Sequence, residues 1–308
     1  MRIRRTHVSV MLLSAVILLL PIVLHVPNPY GNPVVQEVHE TSHTVLFFLA
    51  QMVFLIIVRR RRSHWPLVPL MLGTALLATV IGGLIEIIQP YFNRSRSWED
   101  LGRDVLGIVA ACGVFYGFYC RSKTAKGFAW GAALMILVVA FTPLAKAWQR
   151  QWVRDQAFPL LTNFDTPAMR YHIGRTEYAR IRFVEAPEQW QDNQSTVLKV
   201  IMPKDTRWSG FALYHPTPDW HGYEYLTFAV FSALEKPTRI AVNIYSVQSG
   251  SKVFRYRAFD VQPGLNEFVF DLSKGAPPLR GQHINRLLWY SIAPERDVTL
   301  FFDDITLR

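Results

Sequence analysis

The segment GGLIEIIQPYFNRSRSWEDLGRDVLG, residues 82–107, joins two apolar runs through a short polar loop. The first run reaches Glu86 and Gln89 and breaks at Pro90; the second opens on Asp100 and Asp104. Both runs approach the ~20 apolar residues that a membrane-spanning helix needs. An ionisable side chain inside such a span is costly to insert, which makes Glu86 a candidate functional residue. Glu86 and Gln89 are three apart and share a helix face, as do Asp100 and Asp104, four apart. Arg94 and Arg96 stand in the loop between them, and a guanidinium matches the planar oxyanions of carboxylate and phosphate. The spacing predicts a compact acid, amide and guanidinium cluster where two helices meet water.

Working outward, apolar runs cover 8–26, 39–58, 67–89, 104–120 and 128–147, so the sequence predicts a five-span helical membrane domain over residues 1–150. The leader MRIRRTH followed by an apolar run resembles a signal peptide. No small-x-small cleavage site follows, so the first run is expected to stay as a span. Residues 1–154 carry 16 Lys and Arg against 6 Asp and Glu, so the whole net charge of +10 belongs to this half. Its basic residues gather in Arg2, Arg4 and Arg5, in Arg59 to Arg62, and in Arg121, Lys123 and Lys126. Placing these three groups in the cytoplasm satisfies the positive-inside rule. That orientation puts the cluster and residues 155–308 on the outer side of a bacterial inner membrane, with a cytoplasmic N-terminus. Topogenic charge accounts for the basicity, so nucleic acid is not an expected partner. Cys112 and Cys120, eight residues apart on one helix, would be ~12 Å apart along its axis, too far to bridge.

The pattern Glu86-x2-Gln89, then Arg94-x2-Ser97-x2-Asp100-x3-Asp104-x2-Gly107, resembles the VanZ-like family of bacterial membrane proteins. The founding member of that family is linked to glycopeptide resistance. The resemblance covers roughly residues 8–120 and places His43 before an earlier span as a further site residue. This chain has Asp104 where the family usually has Asn, Ala111 where it has Gly, and His39-Glu40 where an Asp-Lys pair precedes the histidine.

Residues 155–308 have a different period. YLTFAVFS (225–232), RIAVNIYS (239–246), NEFVFDL (266–272) and VTLFFDDITL (298–307) alternate apolar and polar. Leu226, Phe228, Val230, Ile240, Val242 and Ile244 would face inward. Turn residues at 235–237, 248–250 and 262–264 separate the strands, and no helix pattern stands out. Short alternating strands of this kind predict an all-β sandwich of jelly-roll type. The segments NFD (163–165), PDWHGYEYLTFAVF (218–231) and FFDDITL (301–307) look like galactose-binding-like jelly rolls, common as carbohydrate-binding modules.

The candidate membrane-site residues are therefore His43, Glu86, Gln89, Arg94, Ser97, Asp100 and Asp104. They are suited to a polar or phosphorylated lipid headgroup or a lipid-linked cell-wall precursor. Packing alone, through interhelical hydrogen bonds, is the structural alternative. An enzyme acting on a lipid-linked saccharide, with Glu86 or Asp100 as general base, is the catalytic one. Ser97 has no neighbouring base or nucleophile-elbow glycines, and no HExxH spacing is present. In the tail, Trp208, Trp220 and Tyr223 stand beside polar residues and are the candidate contacts to an envelope polysaccharide, because aromatic faces stack on sugar rings. Asp165 and Asp303, near the two ends of the tail, could share a structural calcium ion.

Overall fold

The computed structural model describes residues 32–92, 97–190, 193–216, 219–248, 251–274 and 284–308. The expected span 8–26 and the loop residues Arg94 and Arg96 lie outside the described residues. The chain forms two compact units, Met1–Ala147 and Trp148–Arg308.

The first unit is helical. Its long helices are α1 (Pro33–Arg61), α2 (Leu67–Ile88), α3 (Trp98–Tyr119) and α4 (Lys123–Ala157, which continues into the second unit). All four are long and apolar enough to cross a membrane. The helices begin five or six residues before the apolar runs expected at 39, 104 and 128, because the polar first turns are capped rather than unfolded. Asn32 Oδ1 accepts from Val34 N at 2.8 Å, with Pro33 at the first helical position. Ser97 Oγ accepts from Asp100 N at 3.1 Å, and Glu99 and Asp100 face the positive end of the α3 dipole. α2 ends at Ile88, because Pro90 has no N–H to continue the helical ladder; Gln89 itself keeps α dihedrals, and a 3₁₀ turn, Gln89–Phe92, follows.

Small residues let these helices approach closely, as membrane helices do where lipid supplies no hydrophobic drive. A Cβ on Gly107 of α3 would stand 2.2 Å from the Thr44 carbonyl oxygen of α1, and one on Gly82 of α2 would stand 2.9 Å from Asp104 Oδ2. The outward faces of α2 and α4 are bare hydrocarbon, with Leu72, Leu76, Val80, Leu84, Leu134, Met135 and Val138 exposed.

The second unit is an antiparallel sandwich, with a one-turn helix, α5 (Pro167–Arg170), between its first two strands. Its strands in chain order are β1 (Leu160–Thr162), β2 (Ile173–Arg175), β3 (Arg180–Glu185), β4 (Thr196–Met202), β5 (Arg207–Tyr214), β6 (Tyr225–Ser232), β7 (Thr238–Gln248), β8 (Ser251–Val261), β9 (Gly264–Asp271), β10 (Ile284–Ile292) and β11 (Val298–Leu307). One sheet runs β3-β4-β11-β6-β9, with β1 on β11; the other runs β2-β5-β10-β7-β8. Successive strands cross repeatedly from one sheet to the other, the winding expected of a jelly roll. Leu226, Phe228, Val230, Ile240, Val242 and Ile244 all point into the core between the sheets, as their period-2 pattern predicts. At its centre the rings of Phe211 and Trp289 stack at 4.9 Å and 2°. The two helical pieces of this unit, α5 and the end of α4, escape a sequence reading that found no helix pattern there.

Candidate functional sites

The helical unit gathers its polar residues from three helices. Glu86, His43, Asp100, Asp104 and Gln89 are all buried. Glu86 lies in the last turn of α2. Its Oε1 accepts from Gln89 Nε2 at 2.9 Å and its Oε2 from the backbone N of Ser97 at 2.9 Å. Both carboxylate oxygens are thus occupied in tying the α2–α3 loop together. The Ser97 hydroxyl caps α3, so Ser97 belongs to the scaffold of the cluster. Across from it, His43 Nδ1 lies 3.1 Å from Asp104 Oδ1, and His43 Nε2 lies 4.0 Å from Asp100 Oδ2.

With Asp104 ionised and His43 neutral, the 3.1 Å contact is a hydrogen bond donated by His43 Nδ1 to Asp104 Oδ1. His43 Nε2 is then a lone-pair acceptor, buried and without a hydrogen-bond partner, as is Gln89 Oε1. A carboxylate holding one imidazole nitrogen while the other is free is the arrangement of an oriented base. His39 packs edge-on to the His43 ring at 5.7 Å. Among the described residues no group of three or more His, Cys, Asp or Glu can hold a metal ion. One guanidinium that the sequence reading passed over acts here: Arg103 bonds to Glu40 and lies 3.6 Å from Glu37, joining α3 to α1. The i, i+3 placement of Glu37 and Glu40 on one helix face was its available signal. A turn or two deeper, Gln51 Nε2 donates to Thr74 Oγ1 at 3.0 Å and to Cys112 Sγ at 3.4 Å, a polar layer that links three helices.

The sandwich separates its three candidate aromatics. Trp220 is fully buried and part of the core, so it offers no face to a ligand. Tyr223 is half-buried, edge-to-face on Phe158 at 5.2 Å. Trp208 alone of the three stands out, 55% exposed. It lies on the outer face of the second sheet, where the β5–β10 register slips: Tyr290 faces Gly210, but Ile292 faces Arg207. The extra residue makes a bulge, and Trp208 adopts φ +64°, a left-handed conformation rare for a bulky residue. Its ring lies 4.6 Å from that of Tyr290.

These two rings, with Phe254, Tyr256, Asn243 and Arg207, line a cavity of about 510 Å³. Phe254 and Tyr256 are well exposed, whereas Tyr290 is buried, which pushes its phenol pKa up and keeps it neutral. Asn243 Oδ1 is buried without a partner. Gly210, Ala212 and Ala241 lie on the same outer face, between the aromatics. The signal for this site lay in the sequence: residues alternating with the inward Ile240, Val242 and Ile244 should all be polar on a solvated face, yet Ala241 and Tyr245 flank Asn243 there.

On the opposite sheet, Asp165 and Asp303 do line one cavity, of about 420 Å³, with Asn193, Ser195, Glu267 and Asp304. Their oxygens are already engaged. Asp303 Oδ2 accepts from Asn193 Nδ2 at 2.8 Å and Ser195 Oγ at 2.7 Å, and its Oδ1 from Asp304 N at 2.9 Å. Asp165 accepts from Thr196 N at 3.0 Å and Asn163 Nδ2 at 2.6 Å. Burial first, then Asp304, pushes the Asp303 carboxyl up, against the hydrogen bonds that lower it. As placed, the pair is a hub that anchors the 193–196 turn.

No protein-family model matches the chain, and no curated protein matches it. Among solved structures, the sandwich is similar to part of an exo-β-agarase, with a TM-score of 0.39, 17% identity, and cover of 48% of this chain and 25% of that one. It is also similar to the family 11 carbohydrate-binding module from Clostridium thermocellum, solved with a β-1,3-1,4-mixed-linked tetrasaccharide (TM-score 0.36, 13% identity, 48% of this chain and 93% of that one). A third is the CBM22-1 xylan-binding domain from Paenibacillus barcinonensis (TM-score 0.36, 13% identity, 48% and 90%). The chain spans about a quarter of the length of the agarase it matches.

Proposed function

We propose that this is an integral membrane protein of the bacterial cell envelope that holds a glycan on the outer face of its second sheet. On the same reading, a polar or phosphorylated lipid or cell-wall precursor headgroup meets the His43–Glu86–Asp104 cluster of its helical unit. The observation that carries the glycan assignment is the cavity formed by Trp208, Tyr290, Tyr256 and Phe254. Aromatic faces together with a buried amide acceptor, Asn243 Oδ1, complement the apolar faces and hydroxyl rims of a sugar. The VanZ-like motif of the helical unit supports an envelope role. The grouping of Arg59 to Arg62 with Arg121, Lys123 and Lys126 supports an extracytoplasmic sandwich.

The test is binding of the detergent-solubilised full chain to a panel of envelope and plant polysaccharides by affinity electrophoresis. Trp208→Ala should abolish retardation while the melting curve stays unchanged. Retardation that survives this substitution would move the glycan elsewhere. Alkaline phosphatase fused after residue 308 should be active, and inactive after residue 62; the reverse pattern would overturn the orientation.

A second reading, a membrane-embedded enzyme acting on a lipid-linked saccharide, is favoured by the unpartnered Nε2 of His43. Here His43, oriented by Asp104, is the better base, because both oxygens of Glu86 are engaged. His43→Gln would then abolish turnover of lipid-linked saccharide in membranes, whereas Glu86→Gln would only weaken it. Equal loss in both variants would favour a binding role for the cluster.

A further inference from the structure

We infer that the glycan held on the outer face of the second sheet is anionic, and that a carboxylate or comparable oxyanion on its sugar pairs with Arg207. The inference rests on the glycan reading above and names its ligand class.

The charge of the cavity wall carries it. Among the described residues that line the cavity, Arg207 carries the one charge and none is a carboxylate. Arg207 is exposed, and none of the ion pairs among the described residues involves it. A hydroxyl of a neutral sugar both donates and accepts, so it makes equal use of either kind of partner, whereas a carboxylate only accepts. This wall offers a five-donor fork that matches a carboxylate in two parallel hydrogen bonds. The bulge makes the placement specific. Arg207 and Trp208 are adjacent in sequence, yet both line the cavity, because the register slip and the positive φ of Trp208 break the strict alternation of faces. A pyranose stacked on Trp208 therefore has its edge beside the guanidinium.

The rest of the face agrees. Arg286, on the same side of β10, holds its guanidinium 4.1 Å over the Tyr245 ring. It lies six residues along the strand from Ile292, the partner of Arg207, or roughly 20 Å. A second cation at that separation suits a polymer with repeated charges. Asp260, opposite Arg239 at the end of the face, is neutralised by it at 3.3 Å.

The experiment compares the full chain in detergent against polygalacturonate and the same polymer after carboxyl reduction, by affinity electrophoresis at low and moderate salt. The acidic polymer should bind at least tenfold more tightly, with the gap narrowing as salt rises. Arg207→Gln should remove that tenfold preference, about 1.4 kcal/mol, by weakening the acidic polymer more than the reduced one. Arg207→Lys should retain part of it. Arg180→Gln, an exposed arginine on the other sheet, controls for general attraction to the basic chain and should have no effect. Equal binding of the two polymers, or a preference untouched by Arg207→Gln, overturns the anionic assignment and leaves the glycan site standing. If neither these polymers nor the wider panel binds, the glycan reading falls and takes this inference with it.

Discussion

Gly107 sits where α1 and α3 cross, and replacing it with alanine perturbs the polar cluster without touching any of its side chains. The added Cβ would stand 2.2 Å from Thr44 O and 3.0 Å from Phe48 N, both backbone atoms that no rotamer change can move. An unstrained carbon–oxygen contact is about 3.3 Å, so the two helices must part by about 1 Å. Neighbouring contacts loosen together: the Thr44 Oγ1 bond to Arg103 O at 3.1 Å and the His43–Asp104 contact at 3.1 Å. Overpacking typically costs 1–3 kcal/mol, and the rigidity of both partners here places the expected loss near the top, at about 3 kcal/mol. Gly83→Ala is the matched control, because nothing lies within 4 Å of its added Cβ. Relief of helical glycine there should be neutral or stabilising by about 0.5–1 kcal/mol. Thermal or SDS-induced unfolding in one detergent measures both. Equal stability of the two variants would refute the close crossing, and with it the placement of His43 against Asp104.

In the sandwich, Trp220→Ala should cost about 3–5 kcal/mol through an unfilled core, whereas Trp208→Ala should be close to neutral for folding; chemical denaturation separates them. His172, buried beside Arg154, has its pKa pushed down to about 2, first by burial and then by Arg154, His215 and Arg150. The unfolded chain binds this proton near pH 6.5 and the folded one does not, so stability is full above about pH 6.5 and falls with acidification, by up to about 1.4 kcal/mol per pH unit. Melting curves between pH 7 and 4 should show that slope, flattened in His172→Gln; an unchanged slope would remove His172 as its source. Calcium should leave the melting temperature of the full chain unchanged, given the occupied oxygens of Asp165 and Asp303. A rise with millimolar calcium that EDTA reverses would show that those oxygens can be freed.

Local pattern made the architecture legible. Alternation placed Leu226, Phe228 and Val230 in the core, and the apolar runs located the four long helices among the described residues. It did not show where the helices begin, because Asn32 and Ser97 read as loop residues until their side chains are seen to cap. Helix spacing alone put Glu86 with Gln89 and Asp100 with Asp104, whereas His43 came from the resemblance and Arg94 lies outside the described residues. The pairing within the cluster was not legible: that His43 would face Asp104 is fixed by the approach of α1 and α3 at Gly107, some sixty residues apart in the chain. Trp208 and Trp220 look alike in sequence, each beside polar neighbours. One is turned outward by a register slip between β5 and β10 and the other fills a core, and both outcomes depend on strands distant in sequence.

The positive φ of Trp208 also has a kinetic meaning. A left-handed conformation costs a non-glycine residue about 1–2 kcal/mol, and the chain bears that cost at folding, whether or not a ligand arrives. The ring is already held beside Tyr290 in the free protein, so little rotamer freedom is left to lose on association. Stopped-flow quenching of Trp208 fluorescence should therefore follow a single phase whose rate grows linearly with glycan concentration. Trp208→Tyr would keep both the strain and an aromatic face, and Trp208→Gly would release the strain and leave no face at all.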